Sequence, residues 1–315
     1  MSGLRLYRGL APQGSANGPA GAAGAQPWVA AIGSFDGLHL GHQALVALAC
    51  ERAAAQGSMA RLLSFEPLPR EFFQPAEPPA RLTSFRERWR LLQGTGLGGF
   101  HVLAFNHRLR QLSGSQFMAA LQALGVRHVV VGHDFRFAKG GEATGDWLAG
   151  QGPAFGMGVD VIEPVRVAGE RVSSGLVREA LAGHDFERAA RLLGHPYTMR
   201  ARVRRGRQLG RTLGYPTVNL PLQRRRSPLG GIFAVRVSGP GLAAWPGVAS
   251  LGTRPTVDGV EPLLEVHLFD LERDLYGAEL EVQFVRHLRP EQRFESLPAL
   301  IEQMHRDAAA ARAAL

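Results

Sequence analysis

Trp28-Val29-Ala30-Ala31-Ile32-Gly33-Ser34-Phe35-Asp36-Gly37-Leu38-His39-Leu40-Gly41-His42 reads as a strand, a glycine-containing turn and the start of a helix. Trp28 to Ile32 is continuously apolar, and the helical pattern that follows carries Leu45, Val46 and Leu48. The two histidines therefore fall near a helix N-terminus, where backbone N–H groups and the helix dipole attract anions. Gly37 and Gly41 remove side chains where a phosphate must approach the backbone. Imidazoles in this place can donate to phosphate oxygens or protonate them as charge develops. One histidine after a strand is ordinarily a solvated loop residue. Two histidines bracketing Gly41, behind Gly-x-Phe-Asp-Gly, make a far more specific pattern.

The rest of the chain limits how such a site can work. Its 315 residues suggest two domains, and a hydrophobic content of 45% is enough for ordinary cores. No apolar run approaches the ~20 residues of a membrane helix, and Met1 to Gln26 lacks the apolar core of a signal peptide. Cys50 is the single cysteine, so no intramolecular disulfide can form; this fits a reducing cytoplasm. The net charge of +9 comes almost wholly from arginine, Lys139 being the single lysine. The arginines are spread along the chain, dense only at Arg202–Arg207 and Arg224–Arg226, which argues against nucleic-acid binding as the main role. Lys139 lies between Ala138 and Gly140, so there is no Gly-Lys-Ser/Thr P-loop and no strand lysine of a protein kinase. Nucleotide chemistry here must rely on histidine, arginine, backbone amides and a metal ion.

Strand patterns at Trp28–Ile32, Ala60–Phe65, Gly99–Phe105, Val126–Val131 and Val159–Ile162 alternate with helical patterns at Leu40–Gln56, Ser84–Gln93, Ser115–Leu124 and Glu142–Gly150. This alternation predicts a parallel sheet covered by helices, with ligands beyond the carboxyl ends of its strands. Ala11–Gly24 reads as a mobile low-complexity loop. After helical segments at Leu176–Ala182 and Phe186–Leu193 the pattern changes to short alternating runs, Ile232–Val237, Leu263–Phe269 and Leu280–Val285, separated by Gly- and Pro-containing turns. An antiparallel barrel or sandwich is expected there, followed by an alanine-rich helix from Ser296 to Leu315. The division is expected near Asp185, giving domains 1–184 and 185–315.

Two further stretches reach the same sheet edge as the histidines. Val129-Val130-Val131-Gly132-His133-Asp134-Phe135-Arg136-Phe137 ends a strand; its polar residues could bind a ligand and its phenylalanines could pack on a ring, or it could be a plain strand end. Val172-Ser173-Ser174-Gly175-Leu176-Val177-Arg178 sets hydroxyls and an arginine at a helix start, which suits a polyphosphate or an ordinary N-cap. Taken in order, Gly-x-Phe-Asp-Gly-x-His-x-Gly-His, Val-Val-Gly-x-Asp-Phe-Arg-Phe and Ser-Ser-x-x-x-Arg resemble the adenylyltransferase half of bacterial bifunctional riboflavin kinase/FAD synthetases. The resemblance implies a nucleotidyltransferase-like, Rossmann-like α/β domain in which FMN attacks the α-phosphate of ATP to give FAD and pyrophosphate. It implies that His39 and His42 are catalytic, and that Gly33, Phe35, Asp36, Gly37, Gly41, Ser174 and Arg178 bind ATP phosphates. It sets Asp134, Phe135 and Arg136 at the flavin. Gly175 stands where the family commonly has threonine, and Ala138-Lys139-Gly140-Gly141-Glu142 extends a loop that is commonly tighter.

Gly206-Arg207-Gln208-Leu209-Gly210-Arg211-Thr212-Leu213-Gly214-Tyr215-Pro216-Thr217-Val218-Asn219 is the second informative stretch. Thr217 and Asn219, two apart, can direct oxygens toward one hard cation, although a glycine-rich hairpin explains the stretch equally well. Strand alternation separates Leu264, Val266 and Leu268 from Glu265 and His267. A carboxylate such as Glu265 is either a surface group or a base for an attacking alcohol. With Gly252-Thr253-Arg254-Pro255-Thr256, Asp274-Leu275-Tyr276-Gly277, Arg289-Pro290-Glu291, Phe294 and Asp307, these residues resemble the riboflavin kinase half of the same family, an antiparallel barrel with a C-terminal helix. By that resemblance Thr217 and Asn219 hold Mg²⁺, Gly210 and Gly214 line the ATP phosphates, Glu265 activates the ribityl 5′-hydroxyl of riboflavin, and Arg289 closes over the flavin. The implied activity is phosphorylation of riboflavin to FMN and adenylylation of FMN to FAD, with ATP and Mg²⁺, in a cytoplasmic enzyme; the sequence leaves the oligomeric state open, a weak homo-oligomer included. The alternatives are a chain with one active module, or a flavin- or RNA-binding regulator on the same fold.

Overall fold

The computed structural model describes residues 3–10, 26–206, 214–256 and 259–315, so the expected loop Ala11–Gly24 and the site candidate Gly210 lie outside the described residues. The chain forms two compact units, Met1–Pro79 with Arg88–Val172, and Ala80–Glu87 with Ser173–Leu315. α7 (Ser174–Ala182), which precedes the expected division near Asp185, thus clusters with the second unit, as does the short segment Ala80–Glu87.

The first unit is built on a six-stranded sheet of β1 (Arg5–Arg8), β2 (Trp28–Ile32), β3 (Met59–Glu66), β4 (Gly99–Ala104), β5 (Val126–Gly132) and β6 (Gly158–Ile162). Their spatial order is β1-β4-β3-β2-β5-β6, and every pairing is parallel. All of β2 is buried, as a central strand covered on both faces must be. The connections carry α1 (Leu40–Ala55), α2 (Pro69–Phe73), α3 (Phe85–Leu91), α4 (His107–Arg110), α5 (Gly114–Ala123) and α6 (Gly145–Gln151). From β2 the chain runs to β3 and β4 on one side, then returns to place β5 and β6 on the other. The order reverses between β2 and β5, and the crevice at such a reversal is where open α/β sheets take ligands. The sequences that follow these two strands are the histidine stretch and Gly132–Phe137.

One local expectation needs correction, and one strand lies outside those expected. The helix expected at Glu142–Gly150 begins at Gly145, because Thr144 caps it: its hydroxyl accepts from the Trp147 N–H at 3.2 Å. Ala143–Thr144 instead pairs with Arg136–Phe137 in a two-residue ribbon. Arg5–Arg8, which is not among the expected strands, forms the parallel edge strand β1.

In the second unit, α7 and α8 (Phe186–Leu193) precede a second six-stranded sheet. Its strands are β7 (Thr198–Arg202), β8 (Val218–Pro221), β9 (Gly231–Gly239), β10 (Leu242–Thr256), β11 (Gly259–Leu268) and β12 (Glu279–Arg289). The order is β7-β12-β9-β10-β11-β8, antiparallel throughout. A bridge from Arg204, just after β7, to Asn219 on β8 brings the two edges of the sheet together and nearly closes a barrel. Alternate residues fill its interior: Phe233, Val235 and Val237, then Leu264 and Val266, then Leu280, Val282 and Phe284 are all at most 2% exposed. α9 (Leu297–Ala314) packs Ala308 and Ala311 against Phe269 and Ala234.

Candidate active sites

The first candidate site is set by local backbone geometry after β2. Phe35, Gly37 and Leu38 have φ of 52°, 87° and 44°, a run of left-handed residues in one turn. A non-glycine residue pays for that conformation, and such strain concentrates at functional loops. Burial over-determines it here: Phe35 and Asp36 are each 1% exposed. The Phe35 ring packs over Gly33, where an added Cβ would lie 3.3 Å from it, and against the His42 ring at 5.0 Å.

His39 is the N-cap of α1, and its Nδ1 accepts from the His42 N–H at 3.3 Å. With Nδ1 as acceptor, a neutral His39 ring carries its proton on Nε2. The His39 and His42 rings stack with centroids 3.6 Å apart and planes 16° off parallel. Gly41 makes the stack fit, since a Cβ there would lie 3.2 Å from the His39 ring. The two imidazoles thus form one block at the N-terminus of a 16-residue helix, at the carboxyl edge of the sheet. This arrangement can donate protons or hydrogen bonds to an anion.

Asp134 sits in the turn after β5, and its carboxylate accepts from Arg171 at 2.6 Å, both side chains being well exposed. Arg136 is exposed, Phe135 is half-buried against the first unit's core, and Phe137 belongs to that core, stacked on Phe117 at 3.6 Å. Of the two phenylalanines in this stretch, Phe137 is therefore a packing residue.

Ser174 and Arg178 belong to the second unit. Ser173, not Ser174, is the N-cap of α7, with its hydroxyl accepting from the Leu176 N–H at 3.2 Å. Arg178 donates its Nε–H to the Ala80 carbonyl at 2.6 Å.

The second candidate site lies on the outer face of the barrel. Asn219 on β8 stands directly opposite Glu265 on β11, and Ser250 on β10 stands opposite Glu265 from the other side. Side chains at directly opposed positions have Cβ atoms ~4.5–5.5 Å apart, so an amide, a carboxylate and a hydroxyl are neighbours on one surface. The Asn219 side chain also lies over Gly206, where a Cβ would come within 2.5–2.6 Å of its amide atoms. Thr217 lies two residues earlier, half-buried, in the segment entering β8. Gly214 has φ of 80°, so a left-handed turn demands glycine there. Arg289 is bidentate to the buried Asp307, with Nε and Nη2 at 2.9 and 2.7 Å, and its guanidinium faces the Phe294 ring at 5.7 Å.

Tyr215, His267 and His305 were not singled out by the sequence as site residues, yet they surround the segment that carries Thr217. The His267 Nδ1–H donates to the Pro216 carbonyl at 2.9 Å. Tyr215 lies edge-on to His267 at 5.0 Å, and its hydroxyl is 2.5 Å from His305 Nδ1. Burial pushes the Tyr215 phenol above its ordinary value. No cluster of three or more His, Cys, Asp or Glu side chains suited to a metal occurs among the described residues. Thr217 and Asn219 carry oxygen donors of the hard class that suits Mg²⁺.

Comparison with known proteins follows the same division. A family model described as FAD synthetase matches residues 22–176, and one described as riboflavin kinase matches residues 193–315. The bifunctional riboflavin kinase/FMN adenylyltransferase of Pseudomonas fluorescens is 47% identical over 288 residues, covering 90% of this chain and 92% of that protein. The protein of the same description from Escherichia coli strain K12 is 42% identical, covering 90% and 91%. That of Bacillus subtilis strain 168 is 32% identical, covering 89% and 90%. A crystal structure described as a macrolide-efflux protein from Streptococcus pneumoniae superposes with a TM-score of 0.77 at 28% identity, covering 98% of this chain and 99% of that one. No helix among the described residues is long and apolar enough to cross a membrane. With both family models matched and such relatives aligned along nearly their full length, the chain belongs to the bifunctional riboflavin kinase/FMN adenylyltransferases.

Proposed function

We propose that the chain makes FAD from riboflavin in two ATP-dependent steps, one in each module. The observation that carries this reading is the presence of two separate, chemically complete residue sets, His39 with His42 and Asn219 with Glu265, each on the module whose family model it falls in. In the first step the ribityl 5′-hydroxyl of riboflavin attacks the γ-phosphorus of ATP. Glu265 accepts the hydroxyl proton, the new P–O bond forms, and ADP leaves. Thr217 and Asn219 hold Mg²⁺, to which their oxygen donors are suited; when bound, the ion screens phosphate charge. Arg289, held by Asp307, presents its remaining surface to the flavin.

In the second step a phosphate oxygen of FMN attacks the α-phosphorus of ATP and pyrophosphate leaves. His39 and His42 donate to the phosphate oxygens as charge builds on them, assisted by the α1 dipole. Gly33, Phe35, Asp36, Gly37 and Gly41 shape the turn that receives the phosphates, and Ser174 and Arg178 are further phosphate-binding candidates. Asp134, Phe135 and Arg136 bind the flavin side. The kinase chemistry lies in the chain from Asp185 onward. Cys50 as the single cysteine suits a cytoplasmic enzyme.

The two chemistries are separable by mutation. Loss of one well-placed transition-state donor costs ~10²–10³ in rate, so His42→Ala lowers FAD formation from supplied FMN by about that factor and leaves riboflavin phosphorylation near normal. Glu265→Gln removes the base and lowers FMN formation by roughly 10²–10⁴, sparing FAD formation. Equal loss of both activities in a folded His42→Ala protein contradicts the division of labour.

A further inference from the structure

The segment that enters β8 is fastened by groups that neither candidate chemistry uses. His267 lies two residues beyond Glu265 on β11, on the same outer face. Its Nδ1–H bonds the Pro216 carbonyl at 2.9 Å, immediately before Thr217. Tyr215 packs edge-on against His267 at 5.0 Å and against His305 at 5.3 Å, and its hydroxyl is 2.5 Å from His305 Nδ1. His305 stands on α9, which is itself pinned to the barrel. Asp307 takes Arg289 and Gln303 (2.8 Å), and Arg312 is bidentate to Asp270 at 2.8 and 2.9 Å while lying over the Phe269 ring at 4.2 Å. Residues 215 and 216 are thus tied at two points, to β11 through a backbone carbonyl and to α9 through a side chain.

Such ties have a chemical consequence. Thr217 and Asn219 can serve one cation only if both oxygens are held at fixed places. Asn219 is fixed by its ladder partner Glu265 and by its packing on Gly206. Thr217 lies before β8 begins, outside the ladder, so its position depends on what restrains Tyr215 and Pro216. Outer groups that orient a metal ligand typically change metal affinity or activity by 10–100-fold when removed.

We propose that His267, with Tyr215 and His305, forms a latch that positions Thr217 for the Mg²⁺–ATP of the kinase site, and that these are positioning residues rather than catalytic ones. This rests on the reading of Thr217 and Asn219 as the nucleotide-cation residues. The latch also makes α9 part of the kinase machinery.

The test uses the full chain. FMN formation from riboflavin is followed at varied Mg²⁺–ATP, FAD formation from supplied FMN is measured separately, and hydrogen exchange is read at residues 214–219. His267→Ala is expected to raise the kinase KM for Mg²⁺–ATP about 10-fold, with kcat changed less than about twofold, faster exchange at 217–219, and FAD formation unchanged. His267→Asn, whose amide N–H replaces the Nδ1–H, is expected to restore KM and protection. His305→Ala, at the outer end of the latch, is expected to shift both in the same direction, and it decides the matter should His267→Ala fail to fold. Thr217→Val separates this inference from the reading beneath it. If Thr217→Val raises KM strongly while both histidine variants leave KM and exchange unchanged, the latch is wrong and the cation reading stands. If Thr217→Val leaves the kinase unaffected, the cation reading fails and the latch with it.

Discussion

Gly206 is glycine for space. The Asn219 side chain lies where a Cβ would be, at 2.5–2.6 Å, and contacts that close essentially force displacement. Gly206→Ala is therefore expected to push the Asn219 amide from its place beside Glu265 and raise the kinase KM for Mg²⁺–ATP by about 10-fold, without changing FAD formation from FMN. Unchanged kinase kinetics in that variant would mean that Asn219 is not held by this contact. His101 offers a test of another kind. It is 2% exposed, stacked on Trp28 at 5.7 Å, and its Nε2–H donates to the Gly9 carbonyl at 2.7 Å while Nδ1 has no hydrogen-bond partner among the described residues. Burial, with the nearby Arg61, holds the imidazole below its ordinary pKa. Above the ordinary value of ~6.5 both folded and unfolded chains carry a neutral ring. As pH falls below it, the unfolded chain takes up the proton first, so stability is lost with acidification. His101→Gln keeps an N–H donor and does not titrate. Its unfolding midpoint in urea is expected to fall less than that of the parent between pH 7.5 and 5.5; parallel slopes would remove His101 as a cause.

At the scale of elements, α3 shows how a short helix is fixed. Ser84 and Glu87 form a capping box: the Ser84 hydroxyl accepts from the Glu87 N–H at 3.3 Å, and the Glu87 carboxylate accepts from the Ser84 N–H at 2.6 Å. The same carboxylate accepts from the Arg200 N–H at 2.8 Å and from Arg224 Nη2 at 2.8 and 2.6 Å. Arg224, whose side chain is 0% exposed, also donates to the Arg81 and Leu82 carbonyls at 3.1 Å and to the Tyr197 hydroxyl at 3.2 Å. The Arg200 N–H bond ties Glu87 to β7 and the Arg224 pair ties it to the segment after β8, in keeping with the place of Ala80–Glu87 in the second unit. A fragment that begins at Asp185 lacks Ala80–Glu87. Breaking a buried pair by removing one partner costs ~3–5 kcal/mol, whereas replacing both with apolar groups is often close to neutral. Glu87→Ala is expected to lower stability to denaturant by about that amount, and Glu87→Ala with Arg224→Met to recover most of it. A double variant as unstable as the single one would assign the loss to the helix cap instead.

Across the whole molecule, what the sequence made legible was what repeats or what chemistry demands. Trp28–Ile32 was readable because a central parallel strand is apolar throughout, and Leu264, Val266 and Leu268 because a barrel strand alternates. β1 was not readable: Arg-Leu-Tyr-Arg is an edge strand whose residues are mostly exposed, so burial left no pattern. β10 was hidden by Pro246, Gly247, Gly252 and Pro255, which count against a strand locally but are outweighed by pairing along both edges. The histidine block could be placed from sequence because strand, turn and helix are contiguous. The Asn219–Glu265 pairing could not, because register between distant strands is a tertiary property. Glu87 carried a signal, Ser-x-x-Glu, whereas its partner Arg224 looked like one more surface arginine in a basic run. His305 gave no signal, since only the packing of α9 brings it to Tyr215.

The central claim, that one chain carries both steps, is tested most directly by incubating the full-length protein with riboflavin, ATP and Mg²⁺ and resolving the flavins by chromatography over time. The expected result is FMN appearing first and FAD accumulating after it, with ADP and pyrophosphate as the respective co-products. FMN that never proceeds to FAD, even when FMN is supplied directly, or riboflavin that remains unphosphorylated while supplied FMN is adenylylated, would contradict it.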